Sequence, residues 1–249
     1  MTADVGAQIN HRRGRFWLPH LIALVIMAFC FVFGALTFES LPDTVATHWG
    51  PSGRPDAWAP KSFGSVFSPL MMGAGLCVLL SMVTALVPKM VQVDDDASLW
   101  ERYRREGTIR GTVAVLGGTC ALIAAIIGFL SVAGWTTPDH VPWWPAAVVT
   151  ALFLVVIPVS YAAAARWARR TASAQGIHPT AAEEQEEKLW IAGVLYNDPN
   201  DPHLLVAKRA GTGVGLTVNV GNTRGRVAVA VFLGLFVVLP VILGVVAAL

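Results

Sequence analysis

Residues 16–38, FWLPHLIALVIMAFCFVFGALTF, contain no Asp, Glu, Lys or Arg. A hydrocarbon core about 30 Å thick is crossed by roughly 20 apolar residues wound as a helix, a form that satisfies every backbone N–H and C=O internally. Four more windows share this property: 62–88, 111–138, 140–165 and 227–249. Trimmed of their polar fringes, they predict spans near 17–38, 65–88, 111–134, 146–166 and 227–247. The composition agrees, because 55% hydrophobic and 14% charged residues over 249 positions is too apolar for a soluble domain. The expected fold is an all-α polytopic membrane protein with five transmembrane helices and a small cytoplasmic β-meander.

Basic residues set the expected orientation. Arg12, Arg13 and Arg15 precede the first span; Lys89, Arg102, Arg104, Arg105 and Arg110 follow the second; Arg166, Arg169, Arg170, Lys188, Lys208, Arg209, Arg224 and Arg226 follow the fourth. In an alternating topology these share one side, which the positive-inside rule makes cytoplasmic. Only Arg54 and Lys61 fall on the other side. The chain then divides into a cytoplasmic N-terminus (1–15), a two-helix portion (16–90) with an outer loop at 39–62, a cytoplasmic helix with the third and fourth spans (91–167), a cytoplasmic linker and β-rich module (168–226), and a fifth span (227–249) that leaves the C-terminus outside. The basic start is read as a signal anchor, since the apolar run after it is too long for a secretory signal peptide.

Within the spans, Cys30, Cys77 and Cys120 behave as small hydrophobes, with no disulfide or metal cluster expected. The spans carry no charged group of the kind that marks proton relays or voltage sensors. His20 and Tyr161 lie near span ends and are expected to reach the headgroups. Pro158 and Pro240 should bend the fourth and fifth spans.

The first outer loop, LPDTVATHWGPSGRPDAWAPK at 41–61, is polar and punctuated by Pro and Gly. Thr44 to Trp49 reads as an extended piece, and Gly50-Pro51-Ser52-Gly53 as a tight reversal. His48 and Trp49 then stand opposite Asp56 and Trp58. The ordinary expectation is that Asp56 caps a turn or pairs with Arg54 or Lys61. Asp43, His48 and Asp56 also form a candidate ligand set, though nothing in their spacing specifies a metal. Exposed aromatics beside charge suit recognition of a peptide or lipid headgroup.

The order L-P-D-x-V-x-x-H-W-x-x-x-G-x-P-D-x-W-x-x-K is carried by Leu41, Pro42, Asp43, Val45, His48, Trp49, Gly53, Pro55, Asp56, Trp58 and Lys61. Placed between two spans, it resembles the N-terminal domain of unknown function of SdpI-type toxin-immunity membrane proteins, over roughly residues 17–90. The resemblance implies a role of the immunity kind: protecting a producing cell from its own peptide toxin and reporting occupancy to a transcriptional repressor.

On the other side, residues 94–105, DDDASLWERYRR, place acids at a helix start and bases further along, as the helix dipole favours. The segment after the fourth span reads as a linker at 171–180, a short acidic helix at 181–188, and three β-like runs, IAGVLYN, LLVAKR and LTVNVGN, separated by turn chemistry. These runs are the expected meander. Gly211, Gly213 and Gly215 lack the context of a phosphate loop and read as a hairpin turn. Lys208, Arg209, Arg224 and Arg226 can attract anionic lipid, at about 1 kcal/mol each near a surface. Tyr196, Pro199, Asp201 and Pro202, the Lys208-Arg209 pair, and Gly213, Gly215, Thr217 and Asn219 together resemble a short uncharacterised C-terminal domain that accompanies the outer-loop domain in bacterial proteins. His203 and Leu216 depart from its pattern.

The leading expectation is a non-enzymatic bacterial plasma-membrane protein in an immunity, sensing or regulatory role. Its expected partners are membrane lipid, a peptide ligand outside and a cytoplasmic or membrane protein. No cofactor and no nucleic acid are expected. The alternatives are a small transporter or transporter subunit, and a membrane enzyme or metal-binding protein that uses the outer-loop His and Asp residues.

Overall fold

The structure, a computed structural model, describes residues 13–50, 52–91, 96–209, 212, 215–239, 242 and 245–246. Four of its helices are long and apolar enough to cross a membrane, and the molecule reads as a multi-pass membrane protein. Helix α1 (Leu18–Thr37) is flanked by 3-10 turns at Gly14–Trp17 and Phe38–Ser40. A hairpin follows, strands β1 (Thr44–Trp49) and β2 (Pro55–Pro60), and then α2 (Phe63–Met90), α3 (Leu99–Thr136) and α4 (Trp144–Ala174). The remainder comprises α5 (Ala181–Lys188), β3 (Trp190–Ile191), β4 (Leu195–Tyr196), β5 (Leu205–Ala207), β6 (Leu216–Val218) and α6 (Thr223–Leu233).

Helix α1 shows why a segment apolar all round sits in lipid rather than water. Its buried residues are His20, Ala23, Met27, Cys30 and Gly34, one stripe at alternating steps of three and four. Most of the rest of the surface is exposed and apolar, with Leu24 64%, Phe29 67% and Leu36 81% accessible. In water so much bare hydrocarbon is unfavourable, and in lipid it is the ordinary state.

Polar caps mark the starts of α2 and α3, whereas α1, with Trp17 at its N-cap position, has no side-chain cap. At α2 the caps are reciprocal: the Ser65 N–H donates to the Ser62 hydroxyl (3.1 Å) and the Ser62 N–H to the Ser65 hydroxyl (2.9 Å). At α3 the Glu101 N–H donates to Ser98 Oγ at 3.0 Å, so a serine caps the helix where the acidic run is expected to. Asp94 and Asp95 lie outside the described residues. Helix α3 has 38 residues, about 57 Å at 1.5 Å per residue, and so extends well beyond a hydrocarbon core. Helix α4 continues through Pro158 to Ala174, into the stretch expected to be linker.

Among the described residues four helices are of spanning length, and the expected five-span count is not confirmed. The fifth segment begins as α6, capped by Asn222 Oδ1, which accepts from the Gly225 N–H at 2.8 Å, and continues as a π-helical turn at Gly234–Val238. Pro240 and most of the residues after it lie outside the described residues.

Two compact units make up the chain. One comprises Trp17–Met82, Leu116–Leu154 and Leu235–Leu249. Its core joins Ala23, Met27 and Cys30 to Val66, Phe67, Leu70, Cys77, Cys120 and Ala124, with Leu41 and Val45 from the hairpin side. His20 belongs to this interior: it is 7% exposed and its Nδ1 lies 3.0 Å from Ser81 Oγ, so it is paired within the helices rather than extended to headgroups.

The other unit comprises Met1–Phe16, Val83–Val115 and Val155–Gly234. Trp100, Tyr103 and Ala172 pack there with Trp167 and Ile177. Tyr161 also finds an internal partner, its hydroxyl 3.1 Å from Thr112 Oγ1. Glu106, 1% exposed, is held by Arg110 Nε at 2.9 Å and by the Arg13 guanidinium, and Arg110 lies 3.6 Å from the Trp167 ring centroid. A carboxylate this deeply buried persists only because both cations reach it.

In place of a three-stranded meander, the β residues of this unit form two separate antiparallel hairpins, β3 with β4 and β5 with β6. The run IAGVLYN cannot be one strand, because Ala192 (φ 51°) and Gly193 (φ 77°) turn left-handed in its middle. The Trp190 and Tyr196 rings then meet edge to face at 5.1 Å across the turn.

Candidate functional site: the hairpin and its cavity

Strands β1 and β2 pair antiparallel from Thr44↔Pro60 to Trp49↔Pro55, with irregularities around His48. The reversal is closed by the Gly53 N–H to Gly50 O (2.9 Å) and the Gly50 N–H to Arg54 O (2.9 Å). Gly53 takes φ +76° and packs so tightly that a Cβ there would lie 2.3 Å from Val141 O. The Val141 N–H donates to Gly53 O at 2.8 Å, and Trp49 Nε1 donates to Pro138 O at 2.8 Å. The α3–α4 connection therefore braces the hairpin tip, a contact that no reading of the loop alone foresees.

At the base, Lys61 Nζ donates to Leu41 O (2.8 Å) and Glu39 O (3.4 Å), while the Lys61 N–H donates to Asp43 O (2.7 Å). Lys61 closes the loop and leaves Asp56 to another partner. That partner is His48, whose Nδ1 lies 2.5 Å from Asp56 Oδ1 across the strands. Both side chains face solvent, 69% and 52% accessible. Asp43 stands at the opposite end of β1, five residues from His48, or about 16 Å along an extended strand. The proposed ligand trio is thus split, and among the described residues no group of three His, Cys, Asp or Glu side chains is placed to hold a metal ion. Trp58 is 51% exposed, displayed where Trp49 is tied down. Pro42 and Pro55 flank the strands, and Pro55 opens β2.

Beneath this hairpin lies a cavity of about 360 Å³, lined by Thr47, His48, Trp49, Ser68, Ser131 and Trp135 among others. The volume is that of a small-molecule or side-chain site, with an aromatic wall and a few hydroxyls. Ser131 is 6% exposed and its Oγ has no hydrogen-bond partner. A buried hydroxyl in that state favours a ligand able to bond to it. In the sequence Ser131 is one of five hydroxyl residues in the 111–138 window, and only the fold shows what it faces.

Among the C-terminal residues singled out from the sequence, one amide ties the 198–202 turn to the end of β6. Asn219 is fully buried; its Nδ2 donates to Asp198 O (2.8 Å) and Asp201 O (3.0 Å), and its Oδ1 accepts from the Asp198 N–H (3.1 Å) and the Gly221 N–H (2.9 Å). The Pro199-Asn200-Asp201-Pro202 turn is thereby fastened to the end of β6. The Val220 N–H bonds Tyr196 O at 2.9 Å, and the Tyr196 hydroxyl donates to Asp198 Oδ2 at 3.3 Å. Burial, followed by the charges of Asp198 and Asp201, pushes the Tyr196 hydroxyl above its ordinary range. Asp201 is held below the usual carboxylate range, first by the His203 backbone N–H and then by the His203 ring. Thr217 Oγ1 reaches Val194 O at 3.5 Å, and the Lys208 N–H bonds Gly215 O at 2.9 Å, where Gly215 has φ +117°. Gly211 and Gly213 lie outside the described residues. Arg209 turns inward, 2% exposed, with its Nε on Glu186 at 2.9 Å, rather than outward toward lipid.

A family model described as a domain of unknown function, DUF1648, matches residues 25–73, which take in most of α1, the hairpin and the first turns of α2. No curated protein and no solved structure matches the chain.

Proposed function

We propose that this chain is a non-enzymatic bacterial plasma-membrane protein of the immunity, sensing or regulatory kind, whose β1–β2 hairpin meets a peptide ligand outside the cell. In this reading the N-terminus is cytoplasmic, α6 begins a fifth span, the C-terminus is extracytoplasmic, and the β3–β6 module meets a cytoplasmic or membrane partner. The observation that carries it is the cavity under the hairpin, aromatic on one wall, with the buried Ser131 hydroxyl unspent and the exposed His48–Asp56 pair beside it. Ligand sites take this form, a mostly apolar concavity with a few polar groups that fix orientation. The resemblance of the loop motif to SdpI-type immunity proteins supplies the role.

Cells lacking the gene, challenged with peptide toxins and envelope stress, are expected to lose survival, and a copy carrying Ser131→Leu, which fills the cavity, is expected not to restore it. Unchanged survival and unchanged expression of neighbouring genes would overturn the role. Orientation is tested separately with Thr47→Cys and Lys188→Cys chains and a membrane-impermeant thiol reagent, since the native Cys30, Cys77 and Cys120 are all buried. Position 47 is expected to label in intact cells and position 188 only after lysis.

A further inference from the structure

A second cavity lies within the unit that holds the β3–β6 module. It measures about 60 Å³ and is lined by Trp100, Arg104, Arg169, Glu187, Trp190 and Arg209 among others. Its charged lining is three arginines against one glutamate. The ion-pair partners Glu101 (to Arg104, 3.0 Å) and Glu186 (to Arg209, 2.9 Å) stand outside the lining, while Glu187 is shared by Arg169 at 2.8 Å and Arg209 at 3.9 Å.

These pairs do not exhaust the donors. A guanidinium has five N–H groups in a rigid fork. Arg169 bonds Glu187 through Nη2 alone, and Arg209 bonds Glu186 through Nε with Nη1 only within ion-pair range of Glu187. The indole of Trp100 is 5% exposed, and its Nε1–H is buried with no hydrogen-bond partner. An unmatched buried donor is costly, and here it belongs to a residue that lines a space shared with three arginines. Indole N–H and guanidinium groups can only donate, so the complementary ligand is an acceptor with negative charge.

We propose that this cavity binds a phosphate-class oxyanion, with Trp100 Nε1 and the free edges of Arg169 and Arg209 as donors. The volume is far below the roughly 300 Å³ at which sites for larger small molecules begin, so the bound group is a single oxyanion and not a nucleoside. Arg169, 63% exposed, supplies the way in, and Arg209, 2% exposed, the inner wall. The oxyanion comes either from free phosphate or from the headgroup of an anionic lipid, and both present the same oxygens to the same donors.

The test uses the full chain in detergent and in nanodiscs. Inorganic phosphate is titrated calorimetrically at constant ionic strength with chloride as control, and nanodiscs of phosphatidylcholine with or without phosphatidylglycerol are assayed for lipid retained after delipidation. Trp100→Phe keeps an aromatic ring and removes the donor but takes volume from a buried cluster, so its folding is checked by thermal unfolding, while Arg169→Gln alters an exposed side chain. Phosphate binding weakened about tenfold by each variant supports the proposal with the free anion as source. No phosphate binding, but retained phosphatidylglycerol that both variants release, supports it with the headgroup as source. Binding of neither, or binding that both variants leave unmoved, overturns it and leaves a cavity that holds water.

Discussion

The β1–β2 hairpin and the β3–β6 module are both made of short antiparallel ladders, yet they spend their polar side chains in opposite ways. The first has strands of six residues, enough paired backbone to hold its form, and its tip is anchored by Trp49 Nε1 and Gly53 O to the 138–141 segment. Among its polar side chains, His48 and Asp56 are left in solvent. The second has strands of two and three residues, too short to support themselves. It uses a side-chain amide as a substitute ladder, with Asn219 making four hydrogen bonds to backbone that no strand could reach. Where backbone pairing is ample, side chains are available for display; where it is scarce, they become structure.

Asn219→Ala carries the largest expected effect. It removes four hydrogen bonds and leaves Asp198 O, the Asp198 N–H and the buried Gly221 N–H without those partners, while Asp201 O keeps Asn222 Nδ2, which should cost on the order of 3 kcal/mol. Hydrogen exchange across 196–222 should accelerate while the β1–β2 hairpin stays protected, and an unchanged exchange pattern would mean that the amide is dispensable. Next comes Gly53→Ala, which combines a left-handed residue with a Cβ 2.3 Å from Val141 O, for a cost of about 1–3 kcal/mol. Its signature is local: proteolysis at the hairpin tip should rise with no change around Asn219.

The helices were legible in the sequence because lipid imposes one requirement over some 20 consecutive residues, and four of the five charge-free windows satisfy it in helices of sufficient length. The hairpin was legible for a similar local reason, since Gly50 to Gly53 can hardly be other than a reversal. What escaped was side-chain matching over long separations. Glu106 reads in the sequence as one more charge before a span, yet it is buried between Arg13 and Arg110. His20 meets Ser81 across helices, and Trp100, Arg169 and Arg209 share a cavity although more than a hundred positions separate the first from the last. Pattern along the chain reports which solvent a segment needs; it does not report which partner a buried polar group will find.

A smaller effect is expected at α5, where the Thr180–Glu183 capping box serves the C-terminal module. Burial alone would raise the Glu183 carboxyl, but hydrogen bonds from the Ser98 hydroxyl and from the Thr180 N–H and hydroxyl, with Arg104 nearby, outweigh it and hold the group below the usual carboxylate range. A carboxyl depressed in the folded state stabilises fully above its unfolded pKa, and that contribution disappears as pH falls through the lower, folded value. Thermal stability of this unit should therefore be level near neutrality and decline only in acid. Thr180→Ala should cost about 1 kcal/mol and Glu183→Gln should flatten the acid decline, both followed by the unfolding midpoint as a function of pH.

The smallest effect belongs to the pair that looks most like a site. His48 and Asp56 sit 2.5 Å apart, but at 69% and 52% exposure solvent competes for both, and ion pairs of that kind contribute about 0–1 kcal/mol. A double-mutant cycle with His48→Ala and Asp56→Ala should return a coupling within that range, shrinking further as salt is added. If the proposed peptide recognition holds, the same variants should impair it, because display without stabilisation is what the anchored tip makes possible. A coupling of about 2 kcal/mol or more would reverse the assignment: the pair would then hold the hairpin together as Asn219 holds the module, and the two regions would differ in length alone.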